Sequence, residues 1–179
     1  NDKITYKELY RAEGETVGEY AITVTGDASQ INVNYSVTYI PGTFTITQSE
    51  RPANEPLSVN NYIGVYDAQP HTITVNNVQK DDVVEYSYND GNTWEKKLEE
   101  YINVGTRQIL VKVTNPNYTA EEVTGLTGTV TITPFEMVVK AADASKTYGE
   151  TDPELTASAE VKNAGQVKPD DYKIHWNQP

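Results

Sequence analysis

The stretch that decides the fold is Val104-Gly105-Thr106-Arg107-Gln108-Ile109-Leu110-Val111-Lys112-Val113, in which a glycine precedes side chains that repeat with a period of two. This period is typical of a β-strand with one buried face, because successive side chains of a strand point to opposite sides. The same signature occurs earlier, at Val17-Gly18-Glu19-Tyr20-Ala21-Ile22-Thr23-Val24. The sequence therefore predicts two equivalent strands that lie far apart along the chain.

Two further signatures follow each of these strands in the same order. Asn34-Tyr35 and Gly42-Thr43-Phe44-Thr45-Ile46-Thr47 follow the first strand, and Asn117-Tyr118 and Gly128-Thr129-Val130-Thr131-Ile132-Thr133 follow the second. The three pairs of signatures are offset by 87, 83 and 86 residues. An ordered set of matches at a nearly constant offset indicates an internal repeat.

The middle of the chain also matches its end, because Val78–Tyr86 resembles Val167–His175 at an offset of 89 residues. We therefore predict the C-terminal half of one repeat at residues 1–49, a complete β-sandwich repeat at 50–134 and the N-terminal half of a third repeat at 135–179. The two halves are expected to complete each other, within one chain or between chains, by covering exposed strand edges. The alternative is that the sequence is a segment of a longer array.

Composition supports a strand-rich fold, since Thr, Val, Tyr, Ile and Asn dominate and Leu and Ala are sparse. The turn Asn89-Asp90-Gly91-Asn92 is typical of a tight hairpin whose glycine takes a positive φ. Six strands are predicted in the complete repeat: Leu57–Tyr62, His71–Val75, Val83–Tyr88, Trp94–Lys97, Gln108–Asn115 and Thr127–Thr133. This spacing predicts an all-β fold of tandem immunoglobulin-like β-sandwich repeats, with small β-grasp-like repeats as the alternative.

The charge of the chain argues against several classes of partner. The formal net charge is −12, and the basic residues form no cluster longer than Lys96 and Lys97. We expect no nucleic-acid partner, because phosphate groups would be repelled. We expect no membrane insertion, because the uninterrupted apolar runs are only a few residues long. The chain has no cysteine, which excludes disulfides and thiolate metal sites.

Several of these motifs resemble a known family. Tyr148-Gly149-Glu150-Thr151-Asp152-Pro153-Glu154-Leu155, Arg11–Tyr20 and Gly42–Thr47 resemble the MBG-type repeats of large bacterial surface proteins. The middle unit, with Tyr66-Asp67-Ala68-Gln69-Pro70-His71 and Glu85–Trp94, looks like the related YDG-type, or bacterial immunoglobulin-like, repeat. Ala68 stands where that pattern usually has glycine. The resemblance implies a tandem stalk or adhesin segment that is extracellular, on the bacterial cell surface or secreted, and that contacts neighbouring repeats.

The sequence predicts no catalytic residue, no metal site and no cofactor. His71 and His175 match no catalytic motif and are interpreted as strand-face residues. Asp81-Asp82 and Asp170-Asp171 lack the alternating acidic pattern of a calcium loop and are interpreted as turn residues. An internal amide crosslink between Lys and Asn is not indicated, because no motif brings such a pair together with an acid.

Three aromatic residues that flank the predicted hairpin are the candidate ligand-binding residues: Tyr86, Tyr88 and Trp94. Exposed Tyr and Trp side chains can stack on sugar rings. Alternation puts Tyr86 and Tyr88 on one face with Trp94 across the turn, so a cross-strand aromatic cluster explains the same residues structurally. Exposure of Tyr88 and Trp94 would favour binding over the structural interpretation.

The sequence favours a non-enzymatic structural spacer or stalk repeat of a bacterial adhesin. The linker Ser49–Pro56 contains Pro52 and Pro56, which would limit bending between stacked repeats. One alternative is an adhesin module that recognises a host or bacterial glycan or protein through exposed aromatics. Another is an accessory module of a large secreted carbohydrate-active enzyme. Head-to-tail self-association through the half-repeats is a further expected contact.

Overall fold

A computed structural model of the protein describes residues 6–26 and 35–162. Within these ranges the chain is all-β, which confirms the predicted fold class. No helix that could span a membrane is found there. The predictions for Asp170-Asp171 and His175 lie outside the described residues.

The described residues form eleven strands. They are β1 (Tyr6–Arg11), β2 (Gly18–Gly26), β3 (Gly42–Ile46), β4 (Ser58–Asn60), β5 (Tyr62–Val65), β6 (Thr74–Asn76), β7 (Val83–Ser87), β8 (Gly105–Thr114), β9 (Glu122–Thr133), β10 (Met137–Ala141) and β11 (Ala157–Val161).

Contacts between Cα atoms divide the chain into two compact units. The described part of the first unit contains residues 6–26, 35–56, 80–83 and 113–123. The described part of the second contains residues 57–79, 84–112 and 124–162. The boundaries of the predicted repeats at residues 49 and 134 stay a prediction.

The middle of the chain forms two sheets. One has four strands in the order β5-β9-β8-β7, and the other pairs β4 with β6 in antiparallel fashion. β4 and β5 follow each other closely but belong to different sheets, so the chain switches sheets at Asn61, whose Oδ1 accepts a hydrogen bond of 2.8 Å from the backbone N–H of Thr129. After the switch, β5 runs parallel to β9, with Tyr62 opposite Val130. The arrangement is consistent with a β-sandwich.

The core lies between these two sheets. The buried residues include Ile109 and Val111 on β8 and Val130 and Ile132 on β9, each at most 2% exposed. Their spacing of two is the alternation from which the strands were predicted. Val59 on β4 and Ile73 just before β6 approach Gly128 so closely that a Cβ on Gly128 would lie 2.6 Å from Val59 Cγ1 and 2.7 Å from Ile73 Cγ2. The glycine therefore lies where the two sheets are closest.

Three of the predicted strands are wrong in their extent, and the first of them, Leu57–Tyr62, is divided between β4 and β5. The stretch His71–Val75 pairs only from Thr74 onward in β6, although His71 forms an isolated bridge with Tyr101. The stretch Trp94–Lys97 forms a single bridge, between Glu95 and Tyr86. After Glu95, backbone groups form hydrogen bonds with the Tyr88 side chain and not with a neighbouring strand. The Tyr88 hydroxyl donates to Lys97 O (3.0 Å) and accepts from the Glu99 N–H (2.7 Å).

Positive φ angles explain two sequence features. In the hairpin turn, Asp90 has φ 58° and Gly91 has φ 84°, and the Asn92 N–H bonds to Asn89 O. Two successive positive values are the signature of a type I′ turn, so the predicted hairpin is confirmed. Ala68 has φ 64°, a left-handed conformation that a glycine would adopt without strain.

The remaining strands form two smaller sheets. In the first unit, β1, β2 and β3 form an antiparallel sheet in that order, with Leu9 opposite Val24 and Tyr20 opposite Phe44. In the second unit, β10 and β11 form an antiparallel pair in which Met137 lies opposite Val161.

We expect Gly128→Ala to lower the free energy of unfolding by about 1–3 kcal/mol, because the new methyl group would clash with Val59 and Ile73 across the core. The matched control is Gly42→Ala, at the equivalent position of the repeat signature, where an added Cβ would meet Ile22 at an ordinary 3.6 Å. Urea denaturation of the two variants measures the difference. Equal effects would contradict the close approach of the sheets at Gly128.

Candidate functional site

The predicted aromatic hairpin is held by its backbone and by the side chains of its turn. Tyr86 exchanges two backbone hydrogen bonds with Glu95, of 2.8 and 2.9 Å. The Ser87 hydroxyl accepts a bond from the Gly91 N–H (2.8 Å) and donates to Asn89 Oδ1 (3.0 Å). Ser87 is 1% exposed, so these bonds satisfy a buried hydroxyl. The buried Ser87 hydroxyl therefore holds the turn in place through these two hydrogen bonds.

Trp94 lies on the outer face of the four-stranded sheet. The Lys112 Nζ sits 4.8 Å from the centroid of the Trp94 ring and pairs with Glu85 Oε2 at 2.9 Å. Lys112 alternates with the buried Val111 along β8, so its side chain points away from the core. Trp94 is half-buried, with its ring over a lysine that is itself in an ion pair.

Tyr86 lies on the opposite face of β7 from Glu85, because side chains alternate along the strand, and Tyr88 follows the end of β7 close to Tyr86. Burial raises the pKa of both hydroxyls above the usual value. The neighbouring Tyr101 donates a hydrogen bond to Glu99, and its pKa is raised to about 12, first by burial and then by this bond. The phenols therefore stay neutral at physiological pH and serve as hydrogen-bonding groups.

The structure thus brings Tyr86 and Tyr88 together but puts Trp94 on the other face. The three predicted residues do not form a single stacking platform. Both Tyr88 and Trp94 are of intermediate burial, and the Tyr88 hydroxyl is occupied by Lys97 and Glu99. Ligand binding by these residues stays a prediction.

His71 forms a small cluster at the entrance to the second sheet. Its ring stacks on Tyr62 with centroids 3.9 Å apart, and its Nε2 lies 2.8 Å from Asp67 Oδ1. This hydrogen bond, followed by one from the Gln69 N–H, lowers the pKa of Asp67. These contacts hold the turn that contains Ala68 against β5, so they give His71 a role in the fold.

The acidic pair Asp81-Asp82 divides into two roles. Asp81 has φ 67°, as expected of a turn residue, whereas the Asp82 side chain is 0% exposed and bonds to other residues of the first unit. Among the residues that the structure describes, no three His, Asp or Glu side chains lie close enough to hold a metal ion.

Asp82 belongs to a buried network that we call the linker clamp, formed by Arg51, Asp82, Asn115 and Tyr118. Arg51 bonds to both carboxylate oxygens of Asp82, at 2.8 and 3.1 Å. Asn115 Nδ2 donates to Asp82 Oδ1 (2.9 Å) and to Lys80 O (3.0 Å). The Arg51 guanidinium also stacks over the Tyr118 ring at 4.6 Å. Such a bidentate and stacked arrangement requires the planar guanidinium of arginine.

The backbone of the linker is also fixed within the first unit. Ser49 forms a parallel bridge with Tyr118, through Ser49 N–H to Asn117 O (3.1 Å) and Thr119 N–H to Ser49 O (2.9 Å). Gln48 Nε2 donates to Glu121 Oε1 at 2.7 Å. Just before β2, the Val17 N–H donates to Asn117 Oδ1 at 2.8 Å. Residues 48–51 therefore bond to the loop after β8 before the chain enters β4.

Sequence reasoning found three members of the clamp without recognising their partnership. The sequence predicts Asp82 only as a turn residue, Asn115 only as the end of a strand and Tyr118 only as part of a repeated signature. Arg51 was missed, since a single arginine before Pro52 gives no periodic signal. The pairing joins residues 31 positions apart in the chain, which only the folded structure shows.

Comparison with protein families shows that residues 1–45 match the MBG domain (YGX type). This confirms the resemblance to MBG-type repeats in that part of the chain. Neither the curated proteins nor the solved structures gave a match.

We expect Arg51→Ala to lower the free energy of unfolding by about 3–5 kcal/mol, because it leaves the buried Asp82 carboxylate without its charged partner. Replacing both partners by apolar residues, as in Arg51→Met with Asp82→Leu, should cost less than Arg51→Ala alone. Arg107→Ala, at an exposed arginine, is the control. Additive losses in the single and double variants would show that the two residues act independently.

We expect Trp94→Ala to lower the free energy of unfolding by about 1–2 kcal/mol, because it removes packing and the contact with Lys112. Trp94→Phe should retain most of the stability. Denaturation measures both effects, and a glycan array measures binding. If Trp94→Ala abolished binding to a glycan while the protein kept its stability, Trp94 would be a ligand contact instead.

Proposed function

We propose that this chain is a non-enzymatic spacer of a bacterial cell-surface or secreted protein, in which it holds neighbouring repeats in a fixed orientation. The match of residues 1–45 to the MBG domain supports a repeat module of a surface protein. MBG domains occur in bacterial surface or secreted proteins, which supports an extracellular location. Neighbouring repeats are then its principal partners.

The observation that carries the proposal is the linker clamp. A spacer transmits position only if its linkers do not swivel, and a linker of eight residues that contains two prolines would still bend at its free torsions. Here the linker residues Ser49 and Arg51 are fixed by a backbone bridge and by a buried ion pair. Movement of residues 49–51 away from the loop after β8 would break these bonds together.

The energetic reason lies in the burial of Asp82. Its side chain is 0% exposed and that of Arg51 is 15% exposed, so water cannot readily replace either partner if the pair separates. A buried pair of this kind adds little net stability, but opening it exposes an uncompensated charge to an apolar surrounding. The linker clamp therefore favours one linker conformation strongly over its alternatives.

The proposal is tested by measuring the spread of distances between one labelled site in each unit. Spin labels on Glu19→Cys and Lys96→Cys, both at exposed positions, give the distribution of distances between the units, and no native cysteine interferes. We expect a narrow distribution in the otherwise unchanged chain and a several-fold broader one after Arg51→Ala. The control is again Arg107→Ala, which should leave the distribution narrow.

A distribution that is broad before any change to Arg51 would refute the spacer proposal. The same result would leave the adhesin and accessory-module alternatives, for which the glycan array above is the test. A narrow distribution that persists after Arg51→Ala would show that other contacts hold the linker.

A further inference from the structure

The hairpin turn contains the one Asp-Gly pair of the sequence, Asp90-Gly91, and the sequence has no Asn-Gly pair. At such a pair an aspartate side chain reacts readily with its own backbone, because glycine has no Cβ to keep the next nitrogen away from the carboxyl carbon. Asp90 is exposed to solvent. The turn therefore carries the groups for a reaction that needs no enzyme and no cofactor.

The reaction begins when the backbone nitrogen of Gly91 attacks Cγ of Asp90. A nitrogen–carbon bond forms, a carbon–oxygen bond of the side-chain carboxyl breaks, and one water leaves as a succinimide ring closes. Water then opens the ring at one of its two carbonyl carbons. Opening at Cγ restores aspartate, whereas opening at the backbone carbonyl carbon leaves the main chain running through Cγ, which is isoaspartate. The water that was lost is regained, so the net change is an isomerisation.

In the folded hairpin the attacking nitrogen is occupied. The Gly91 N–H donates a hydrogen bond of 2.8 Å to the Ser87 hydroxyl, which is 1% exposed. The attack needs this nitrogen free of its proton, because a neutral amide nitrogen is a poor nucleophile. Ser87 gives its own proton to Asn89 Oδ1 at 3.0 Å, so its hydroxyl is a neutral acceptor and not a base. The bond therefore directs the Gly91 proton toward a buried group that does not remove it.

Packing around Gly91 supports the same restraint. A Cβ built on Gly91 would lie 3.7 Å from the Trp94 ring and 3.9 Å from Leu110 Cδ1, so these side chains cover one side of the glycine. Rotation of the peptide between Asp90 and Gly91 would break the bond to Ser87 and leave a buried hydroxyl without one of its partners. The closed turn thus opposes the movement that the reaction requires.

We propose that Asp90-Gly91 is a modification site that the folded hairpin keeps unreactive. It forms isoaspartate when the turn opens by local unfolding, and the hydrogen bond from Gly91 to Ser87 suppresses the reaction while the turn is closed. The proposal does not depend on the spacer function, because it rests on the chemistry of the turn and on contacts outside the linker clamp.

The modification would change the hairpin permanently. Isoaspartate adds one methylene group to the main chain between Asp90 and Gly91, and a two-residue type I′ turn has a fixed backbone length and twist. The two backbone bonds between Tyr86 and Glu95, of 2.8 and 2.9 Å, lie beside this turn and depend on its geometry. A modified chain therefore does not re-form the same turn, and isoaspartate at residue 90 records that the hairpin has opened.

The rate of isoaspartate formation in Ser87→Ala tests the proposal. Folded proteins are incubated at neutral pH, and the isoaspartate at residue 90 is measured over time by electron-transfer fragmentation of the peptide that contains it. We expect a several-fold faster rate in Ser87→Ala than in the unchanged chain. Thr93→Ala is the matched control, since it removes the 2.8 Å bond from Asn89 Nδ2 in the same turn and leaves the Gly91 N–H bonded. Equal rates in the two variants would overturn the proposal.

Amide hydrogen exchange in the same samples separates the loss of one bond from unfolding of the hairpin. In Ser87→Ala the Gly91 amide should exchange several-fold faster, whereas the Tyr86 amide should stay protected by its bond to Glu95 O. If both amides exchanged faster by the same factor, the hydroxyl would stabilise the whole hairpin, and the specific role of the Gly91–Ser87 bond would be wrong.

The unchanged chain decides the question if Ser87→Ala does not fold. Its rate of isoaspartate formation at residue 90 is compared in buffer and in a concentration of urea that unfolds the protein, at the same pH and temperature. We expect a several-fold faster rate in the unfolded chain. Equal rates in the folded and unfolded chains would show that the hairpin gives Asp90-Gly91 no protection, and the proposal would be overturned.

Discussion

The close contact between two sheets at Gly128 is the constraint on which the middle of the structure depends. With no side chain on Gly128, Val59 and Ile73 reach the surface of β9, and this seals the alternating residues of β8 and β9 from water. The switch of sheets at Asn61 follows from the same contact, because β4 must cross over the core while β5 must extend the opposite sheet. Apolar residues that alternate along a strand form a core only where a second sheet covers them.

The linker clamp shows a different use of burial. Apolar contacts are non-directional, so they favour compactness without fixing an orientation. The bidentate bonds between Arg51 and Asp82 are directional, and Asn115 fixes the carboxylate from a third side. Orientation in this region is therefore set by hydrogen bonds, whereas stability in the core is set by packing.

The sequence predicted those parts of the fold whose signals are local. β8, β9 and the Asn89–Asn92 turn follow from alternation and from a glycine at positive φ, and the structure has them. The break between β4 and β5 was not predicted, since both lie in one β-rich stretch and only their different partners separate them. The short pairing at Glu95 was missed because the Tyr88 side chain replaces the strand ladder there. Trp94 lies on the other face of the sheet from Tyr86, where it contacts Lys112 and, through it, Glu85. The alternation of residues within the hairpin does not reveal these partners.

The parallel pairing of β5 with β9 has a mechanical consequence. β5 lies near the beginning of the predicted middle repeat and β9 at its end, and four residue pairs join them from Tyr62–Val130 to Val65–Thr133. When the chain is stretched from these two ends, the strands are pulled past each other along their length. The hydrogen bonds between them are then loaded in shear and must rupture together, whereas a hairpin pulled open at one end loses its bonds one after another. Tension applied at these two points would therefore fall on the parallel β5–β9 pair.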